Sequence, residues 1–330
     1  MYSIQLLLLF SATATLNGQH HLPPIPTVTL SNGVHMPVLA VGVGGVHQAD
    51  VALRTALQLG FNSIDTAHDY GNFAQVKTAL HDVPRKSVFL TTKVPGCGVP
   101  TQGLQPPCYN NTVQLSEASL AALNVQYVDL LLLHFPPLLG CKKGSSACSK
   151  MQQQWKALEH LYRTNQTRAI GVSNYCVECV ACILETATVV PMVNQMETHL
   201  GIPRDNHGLR PFCATHGIVL EAYSPLGHGK VLDVPALHTI AAAKNKSTAQ
   251  IALRFVLQLG QNTTTGLAPF VTSSSNPLHL QEDLDVVGGG WTLSAAEMLT
   301  LERVTAPSCS VEAPGGCCSS STHREALLTS

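Results

Sequence analysis

The sequence has few charged residues and no real excess of either sign. Only 12% of its 330 residues are Asp, Glu, Lys or Arg, and the formal net charge is −1 with histidine neutral. Nucleic acids and anionic membrane surfaces attract basic proteins, so this balance argues against both as partners. Apolar residues make up 45% of the chain, which is ample for a core. The length allows two average domains or one large α/β barrel.

Hydrophobic runs long enough to cross a membrane are also missing. The N-terminal run from Ile4 to Phe10 is much shorter than the roughly 20 apolar residues that a spanning helix needs. Small residues follow it, with Ala12 and Ala14 spaced as in a cleavage site, although no Lys or Arg precedes it. We predict a signal peptide over residues 1–18 and no membrane span after its removal. An apolar N-terminus without a targeting role is the alternative.

Cysteine, by contrast, is abundant. The chain has eleven cysteines, and Asn-x-Ser/Thr sequons begin at Asn110, Asn165, Asn245 and Asn262. Behind a signal peptide, such a cysteine content indicates disulfide bonds, and the sequons are possible glycosylation sites. We therefore predict a glycoprotein of the secretory pathway, either extracellular or in an organelle lumen. The odd number of cysteines leaves at least one outside intramolecular pairs.

Two cofactor motifs are incomplete. The segment "GVGGVH" would need glycine where His47 stands, so the dinucleotide-binding fingerprint G-x-G-x-x-G fails. The segment "CVECVAC", from Cys176 to Cys182, has part of the spacing of an iron–sulfur motif, but the expected fourth cysteine is absent. Disulfides or buried thiols on a helix explain it better, and we predict no metal site.

The order of strand and helix patterns predicts the fold. Asn32-Gly33 indicates a hairpin turn, and from Leu39 onwards eight short apolar strands alternate with helical patterns. Apolar runs without strict alternation are typical of strands buried on both faces, as in parallel sheets. Eight such units favour a closed (β/α)8 TIM barrel over an open doubly wound sheet. We place the barrel and its N-terminal β-hairpin at residues 27–304, and an irregular Cys/Gly/Ser-rich tail at residues 305–330.

Polar side chains stand at the predicted carboxyl ends of the strands, where TIM barrels carry their active sites. Asp65 ends the second strand, Tyr70 follows on its loop, Lys93 ends the third strand and His134 the fourth. A lysine cation beside Tyr70 would lower the pKa of the phenol and make it a general acid, while His134 could bind a substrate oxygen. A phenol that protonates a carbonyl needs a hydride donor beside it, which indicates a nicotinamide cofactor. Each residue taken singly could instead be structural, for example as a core ion pair.

Seven segments together resemble the aldo-keto reductase family. They are SIDTAHDYGN, TTK, LLLLHFP, AIGVSNY, PMVNQME, EAYSPLG and SSSNPLHLQEDL, in the family's order and at about its spacing. The resemblance implies a catalytic tetrad of Asp65, Tyr70, Lys93 and His134. It also implies an NADP(H) site: a carboxamide contact at Ser173, Asn174 and Gln195, ring stacking by Tyr223, the pyrophosphate along Ser224, Leu226 and Gly227, and the adenine at Glu282.

The chain departs from the family where the 2′-phosphate of NADP would bind. The resemblance places a lysine and an arginine at positions that here hold Ser273 and His279. Ser274 and Asn276 could still donate hydrogen bonds, and a histidine gains charge at acidic pH. Because two permanent cations are replaced, we expect weaker binding of NADP(H), and NAD(H) becomes a serious alternative.

Spacing also suggests two disulfides, Cys97–Cys108 and Cys141–Cys148, each closing a short loop.

Two hypotheses for function remain. The first is a monomeric enzyme of the secretory pathway that reduces a small aldehyde or ketone to the alcohol with NAD(P)H, with Tyr70 as proton donor. The second is a secreted barrel glycoprotein that retains the tetrad without catalysis. The intact tetrad favours the first hypothesis.

Overall fold

The computed structural model describes residues 24–98, 103–137, 141–202, 208–260 and 268–304. The predicted signal peptide, the irregular tail and the sequon at Asn262 lie outside the described residues. Among the helices of the described part, none combines the length and the apolar character that crossing a membrane requires.

The chain enters the fold through the predicted β-hairpin. Strands β1 (Thr27–Thr29) and β2 (His35–Pro37) pair antiparallel. Gly33 adopts a φ of 85° in the turn between them, a left-handed conformation that glycine tolerates without steric cost. Asn32 donates a hydrogen bond of 2.9 Å to the carbonyl oxygen of Arg168, close before a barrel strand begins. The hairpin therefore lies against the amino-terminal end of the barrel.

Eight short strands form the barrel itself. They are β3 (Leu39–Gly42), β4 (Ser63–Asp65), β5 (Phe89–Val94), β6 (Leu130–Leu133), β7 (Ile170–Ser173), β8 (Val193–Glu197), β9 (Val219–Tyr223) and β10 (Phe270–Thr272). Neighbours in the chain pair in parallel, and β10 pairs with both β9 and β3, which closes the barrel. The predicted (β/α)8 fold is confirmed. Nearly every strand residue is buried, in agreement with the continuous apolar runs of the sequence.

Helices surround the barrel. Their bounds are α1 (Ala49–Leu59), α2 (Phe73–Ala79), α3 (Cys108–Leu123), α4 (Ser146–Arg163), α5 (Val177–Leu184), α6 (Leu209–Thr215), α7 (Pro235–Lys244), α8 (Thr248–Leu257), α9 (Pro277–Gly288) and α10 (Ala295–Glu302). The sequence patterns predicted all of these except α7 and α10. At α10 a signal was available, since Ser294 and Glu297 form a capping box in both directions.

One predicted disulfide is confirmed. Cys97, after β5, is bonded to Cys108 at the first position of α3. The backbone N–H of Cys97 also donates a hydrogen bond of 2.7 Å to Gln154 of α4. The segment that follows β5 is therefore attached to two neighbouring helices.

The other predicted disulfide, Cys141–Cys148, is wrong. Cys141 is bonded to Cys179, and Cys148 to Cys182. Cys179 and Cys182 are three residues apart on α5, so they lie on one face of that helix, and α5 packs against α4. Contacts between these neighbouring helices, rather than proximity in sequence, determine the pairing.

Candidate active site

A buried ion pair lies at the carboxyl ends of β4 and β5. The ammonium nitrogen Nζ of Lys93 is 2.5 Å from Oδ1 of Asp65, and both side chains are almost completely shielded from solvent. Nζ also donates to the carbonyl oxygen of Thr66 and to the hydroxyl of Tyr70, each at 3.3 Å. These three contacts use all three protons of the ammonium group. Burial opposes the charge of Lys93, but Asp65 and Tyr70 outweigh it, so the pKa of the lysine is raised and it stays a cation.

Tyr70 ends a short 3-10 turn, His68–Tyr70, directly after β4. Its ring packs against the backbone of Gly44, where a Cβ atom would lie only 3.0 Å from Tyr70 Cζ. The prediction that Lys93 lowers the pKa of this tyrosine is wrong in its net direction. Burial raises the pKa above its ordinary value, Asp65 and Asp69 act in the same sense, and Lys93 offsets them only in part. Tyr70 is therefore protonated at neutral pH, which is the state that a proton donor needs.

His134 follows β6 and faces Tyr70, with ring centroids 5.6 Å apart in an edge-on arrangement. Its Nδ1 atom lies 2.8 Å from Oδ1 of Asp69. Burial opposes ionisation of Asp69, but the hydrogen bond and charge of His134 prevail, so the pKa of this carboxyl is lowered. An ionised carboxylate can only accept, so Nδ1 carries a proton and Nε2 is the ring nitrogen left for a ligand.

Asp69 was not identified from the sequence as a site residue. The available signal was its position directly before Tyr70, in a turn that the barrel fold carries to the mouth.

Gln195 connects the tetrad to a second buried acid. Its Nε2 atom donates to Oδ2 of Asp65 at 2.9 Å and to Oε2 of Glu221 at 2.8 Å. Gln195 and Glu221 are register partners on β8 and β9, so they lie side by side in the barrel. Burial, together with the charge of Asp65, raises the pKa of Glu221 to about 8, despite the Gln195 hydrogen bond and Lys93. Sequence reasoning missed Glu221, which looked like one polar residue inside a strand.

Three more predicted cofactor residues are linked to one another. Asn174 donates through Nδ2 to the carbonyl oxygen of His134 at 3.0 Å and to the hydroxyl of Ser173 at 3.2 Å. It accepts a hydrogen bond of 2.8 Å from the hydroxyl of Tyr223, and Ser173 donates to the carbonyl oxygen of Gln195. Asn174 has a φ of 65°, a left-handed conformation that asparagine adopts more readily than most residues. The structure thus brings these residues together with the tetrad.

The turn after β9 holds the predicted pyrophosphate residues. Ser224 has a φ of 49°, and its carbonyl oxygen accepts a hydrogen bond from the N–H of Gly227 at 2.8 Å. Leu226 lies between them. At Gly227 a Cβ atom would lie 3.2 Å from Val231, so a side chain there would crowd this turn.

The loop from β10 to α9 carries the remaining predictions. Ser273 donates to the carbonyl oxygen of Gly42 at 3.0 Å, so its hydroxyl joins β10 to β3. Ser274 lies 3.3 Å from Nδ1 of His279 and also accepts from the N–H of Asn276, which caps α9.

Glu282 accepts a hydrogen bond of 2.9 Å from Ser247, the N-cap of α8. Glu282, which the family resemblance predicts to contact the adenine, therefore contacts α8, the helix that flanks α9.

The polar groups of the mouth fit a nicotinamide carboxamide. Gln195 uses both hydrogens of Nε2 for carboxyl groups, so its carbonyl oxygen Oε1 is left to accept from an amide N–H. The fit is poorer for a 2′-phosphate, because the sequence from Ser273 to Gly288 contains no Lys or Arg.

Comparisons with known proteins show which family this chain resembles over most of its length. A model described as the aldo/keto reductase family matches residues 46–305. An aldo-keto reductase of Mycolicibacterium smegmatis is 36% identical over 282 residues, covering 84% of this chain and 90% of the relative. Glyoxal reductase of Bacillus subtilis is 39% identical over 239 residues, covering 71% and 79%. The crystal structure of an aldo-keto reductase from a Medee basin deep-sea metagenome library has a TM-score of 0.71 at 30% identity, covering 84% of this chain and 94% of that one. The chain therefore belongs to the aldo/keto reductase family.

Proposed function

We propose that this protein reduces aldehydes or ketones to alcohols, with NADPH or NADH as the hydride source and Tyr70 as the proton donor. The observation that carries the proposal is the chain of contacts from Asp65 through Lys93 to the hydroxyl of Tyr70 at the barrel mouth. The reduced nicotinamide supplies a hydride to the carbonyl carbon when it is bound. A small-molecule substrate is consistent with the glyoxal reductase relative.

Each polar group has a distinct role in this reaction. Tyr70 gives its proton to the carbonyl oxygen, and the fixed cation of Lys93 stabilises the negative charge that the phenol oxygen acquires. His134, whose Nδ1 atom is oriented by Asp69, holds the carbonyl oxygen near that proton by donating from Nε2, which requires that both ring nitrogens carry a proton. Gln195, Asn174 and Ser173 form the hydrogen-bonding set against which a carboxamide would be oriented.

Substitution of Tyr70 tests the proposal. Tyr70→Phe removes the proton donor and keeps the ring that packs on Gly44, so carbonyl reduction should fall by at least about 10². Binding of NADPH, followed by fluorescence titration, should change little. Tyr109→Phe removes a hydroxyl from an exposed tyrosine of α3 and should leave turnover unchanged. Retained turnover in Tyr70→Phe would refute the assignment, and absence of any NAD(P)H binding by the unmodified protein would favour the non-catalytic alternative.

We further propose that the protein matures in the secretory pathway. Asn110, Asn165 and Asn245 begin sequons and are all exposed, and three disulfides join segments around α3, α4 and α5. Protein from a secretory host should lose mass on treatment with an N-glycosidase, and peptide mapping should recover the Cys97–Cys108, Cys141–Cys179 and Cys148–Cys182 pairs. Free thiols at these six positions together with unmodified sequons would contradict the proposal.

A further inference from the structure

Glu221 is a buried acid that the tetrad does not include, yet it belongs to the same hydrogen-bonded chain. The chain runs from Glu221 to Gln195 at 2.8 Å, from Gln195 to Asp65 at 2.9 Å, from Asp65 to Lys93 at 2.5 Å and from Lys93 to Tyr70 at 3.3 Å. Both ends matter, because one end is the predicted proton donor and the other is a group that can itself gain or lose a proton.

The charge balance of this chain depends on pH. Asp65 from β4 and Lys93 from β5 are the charged groups that act on Glu221, and they neutralise each other. Below about pH 8, Glu221 is protonated and the buried cluster has no net charge. Above that pH, the cluster gains one negative charge in an environment of low dielectric, where charges interact strongly.

We propose that Glu221 is a positioning residue for the carbonyl reduction proposed above. It holds Gln195 against Asp65, so that the Oε1 atom of Gln195 faces the cofactor, and its loss of a proton makes Tyr70 a weaker proton donor. This inference rests on the proposed function for its kinetic consequence.

The first consequence concerns Gln195. An amide side chain can be flipped by 180°, and only its bonds decide which end points to a ligand. Two carboxyl acceptors hold the Nε2 end inside the barrel, and Glu221 is one of them. A neutral acceptor of the same shape at position 221 should preserve this orientation, whereas an apolar side chain should not.

The second consequence concerns the rate. When Tyr70 gives up its proton, negative charge develops on its oxygen, and a carboxylate at Glu221, at the other end of the hydrogen-bonded chain, opposes that change. Reduction of a carbonyl should therefore slow as the pH rises through about 8. Asp69 and His134 also lie near Tyr70, so the pH profile of the unmodified protein alone does not isolate the contribution of Glu221. Comparison of its pH profile with those of the variants does.

The kinetic experiment measures kcat/KM for 4-nitrobenzaldehyde with NADPH from pH 6 to pH 9.5. The unmodified protein should lose about threefold or more across a step centred near pH 8. Glu221→Gln, which is neutral at every pH, should match it within a few-fold at pH 6.5 and lack the step. Glu117→Gln alters an exposed glutamate of α3 and should keep the step. A step that persists unchanged in Glu221→Gln would overturn the proposal.

Two measurements do not depend on turnover. The infrared carbonyl band of protonated carboxylic acids at pH 6 should lose one component in Glu221→Gln. Glu221→Leu, which cannot accept a hydrogen bond, should bind NADPH at least about tenfold more weakly than Glu221→Gln does. An unchanged infrared band, or equal NADPH affinity in the two variants, would refute the role of Glu221. The two measurements can also give the expected results when neither the unmodified protein nor any variant reduces the aldehyde. In that case the proposed function fails, and the placement of Gln195 by Glu221 stands.

Discussion

At the scale of single residues, burial decides the protonation of this site as much as charge does. Lys93 keeps its charge because Asp65 faces it, while Glu221 and Tyr70 hold their protons because burial disfavours their anions. A cation next to a phenol is therefore not enough to predict its pKa from sequence. The degree of burial, and the second acid beside the first, are known only from the fold.

A prediction at this scale concerns Asp69. Asp69→Ala frees the Nδ1 atom of His134, whose ring can then turn away from the substrate oxygen. We expect kcat/KM for an aldehyde to fall on the order of 10², mainly through KM, with NADPH affinity unchanged. Asp69→Asn keeps an acceptor for Nδ1 and should restore part of the activity. Exposed Asp233 provides the matched control, Asp233→Ala. Full activity in Asp69→Ala would show that His134 needs no such partner.

At the scale of elements, we expect the segment from β10 into α9 to decide between NADH and NADPH. It carries Ser273 and His279 where the family resemblance implies two cations, and α9 adds Glu282, Asp283 and Asp285. A 2′-phosphate would meet neutral donors there instead of two permanent cations, whereas the two free ribose hydroxyls of NADH need no cation.

The corresponding prediction is comparable affinity for NADH and NADPH at pH 7. The double substitution Ser273→Lys with His279→Arg should raise the preference for NADPH about 100-fold, since two charge-assisted bonds contribute about 1.5 kcal/mol each. Ser149→Lys with His238→Arg adds the same charges at exposed positions on α4 and α7 and should not change the preference. Fluorescence titrations with both cofactors measure the ratio. An unmodified protein that already binds NADPH a hundredfold more tightly would contradict this interpretation.

The elements also show what the sequence could predict. The barrel strands could be predicted from the sequence because an apolar run bounded by turn residues is recognisable without knowing which strands pair with it. Helix α7 was missed because "PALHTIAAAK" has no clear polar face, and its ends are set by Pro235 and the left-handed Asn245. The partners of Cys141 and Cys148 were missed because they lie on α5, and only the packing of α5 on α4 brings them close.

At the scale of the whole molecule, two buried acids link stability to pH. Asp283 of α9 accepts a hydrogen bond of 3.0 Å from Thr272 of β10, and burial raises its pKa to about 7, with Glu282 acting in the same sense. Glu221, on the neighbouring strand β9, has a pKa of about 8. The ordinary values of these carboxyl groups are 3.8 and 4.5, so the unfolded chain releases both protons at lower pH than the folded protein does.

Unfolding therefore releases protons between about pH 4 and pH 8, and the free energy of unfolding should fall as the pH rises through that window. The pKa of Asp69 is lowered, so this residue affects the free energy of unfolding only at pH values below this window. Asp283→Asn keeps an acceptor for the hydroxyl of Thr272 and cannot ionise, so it should raise the urea midpoint at pH 8 and change it little at pH 5. Asp82→Asn, at a fully exposed site, should change neither midpoint. Equal midpoints at pH 5 and pH 8 in the unmodified protein, with no gain from Asp283→Asn at pH 8, would show that the folded state lets these acids ionise at no cost.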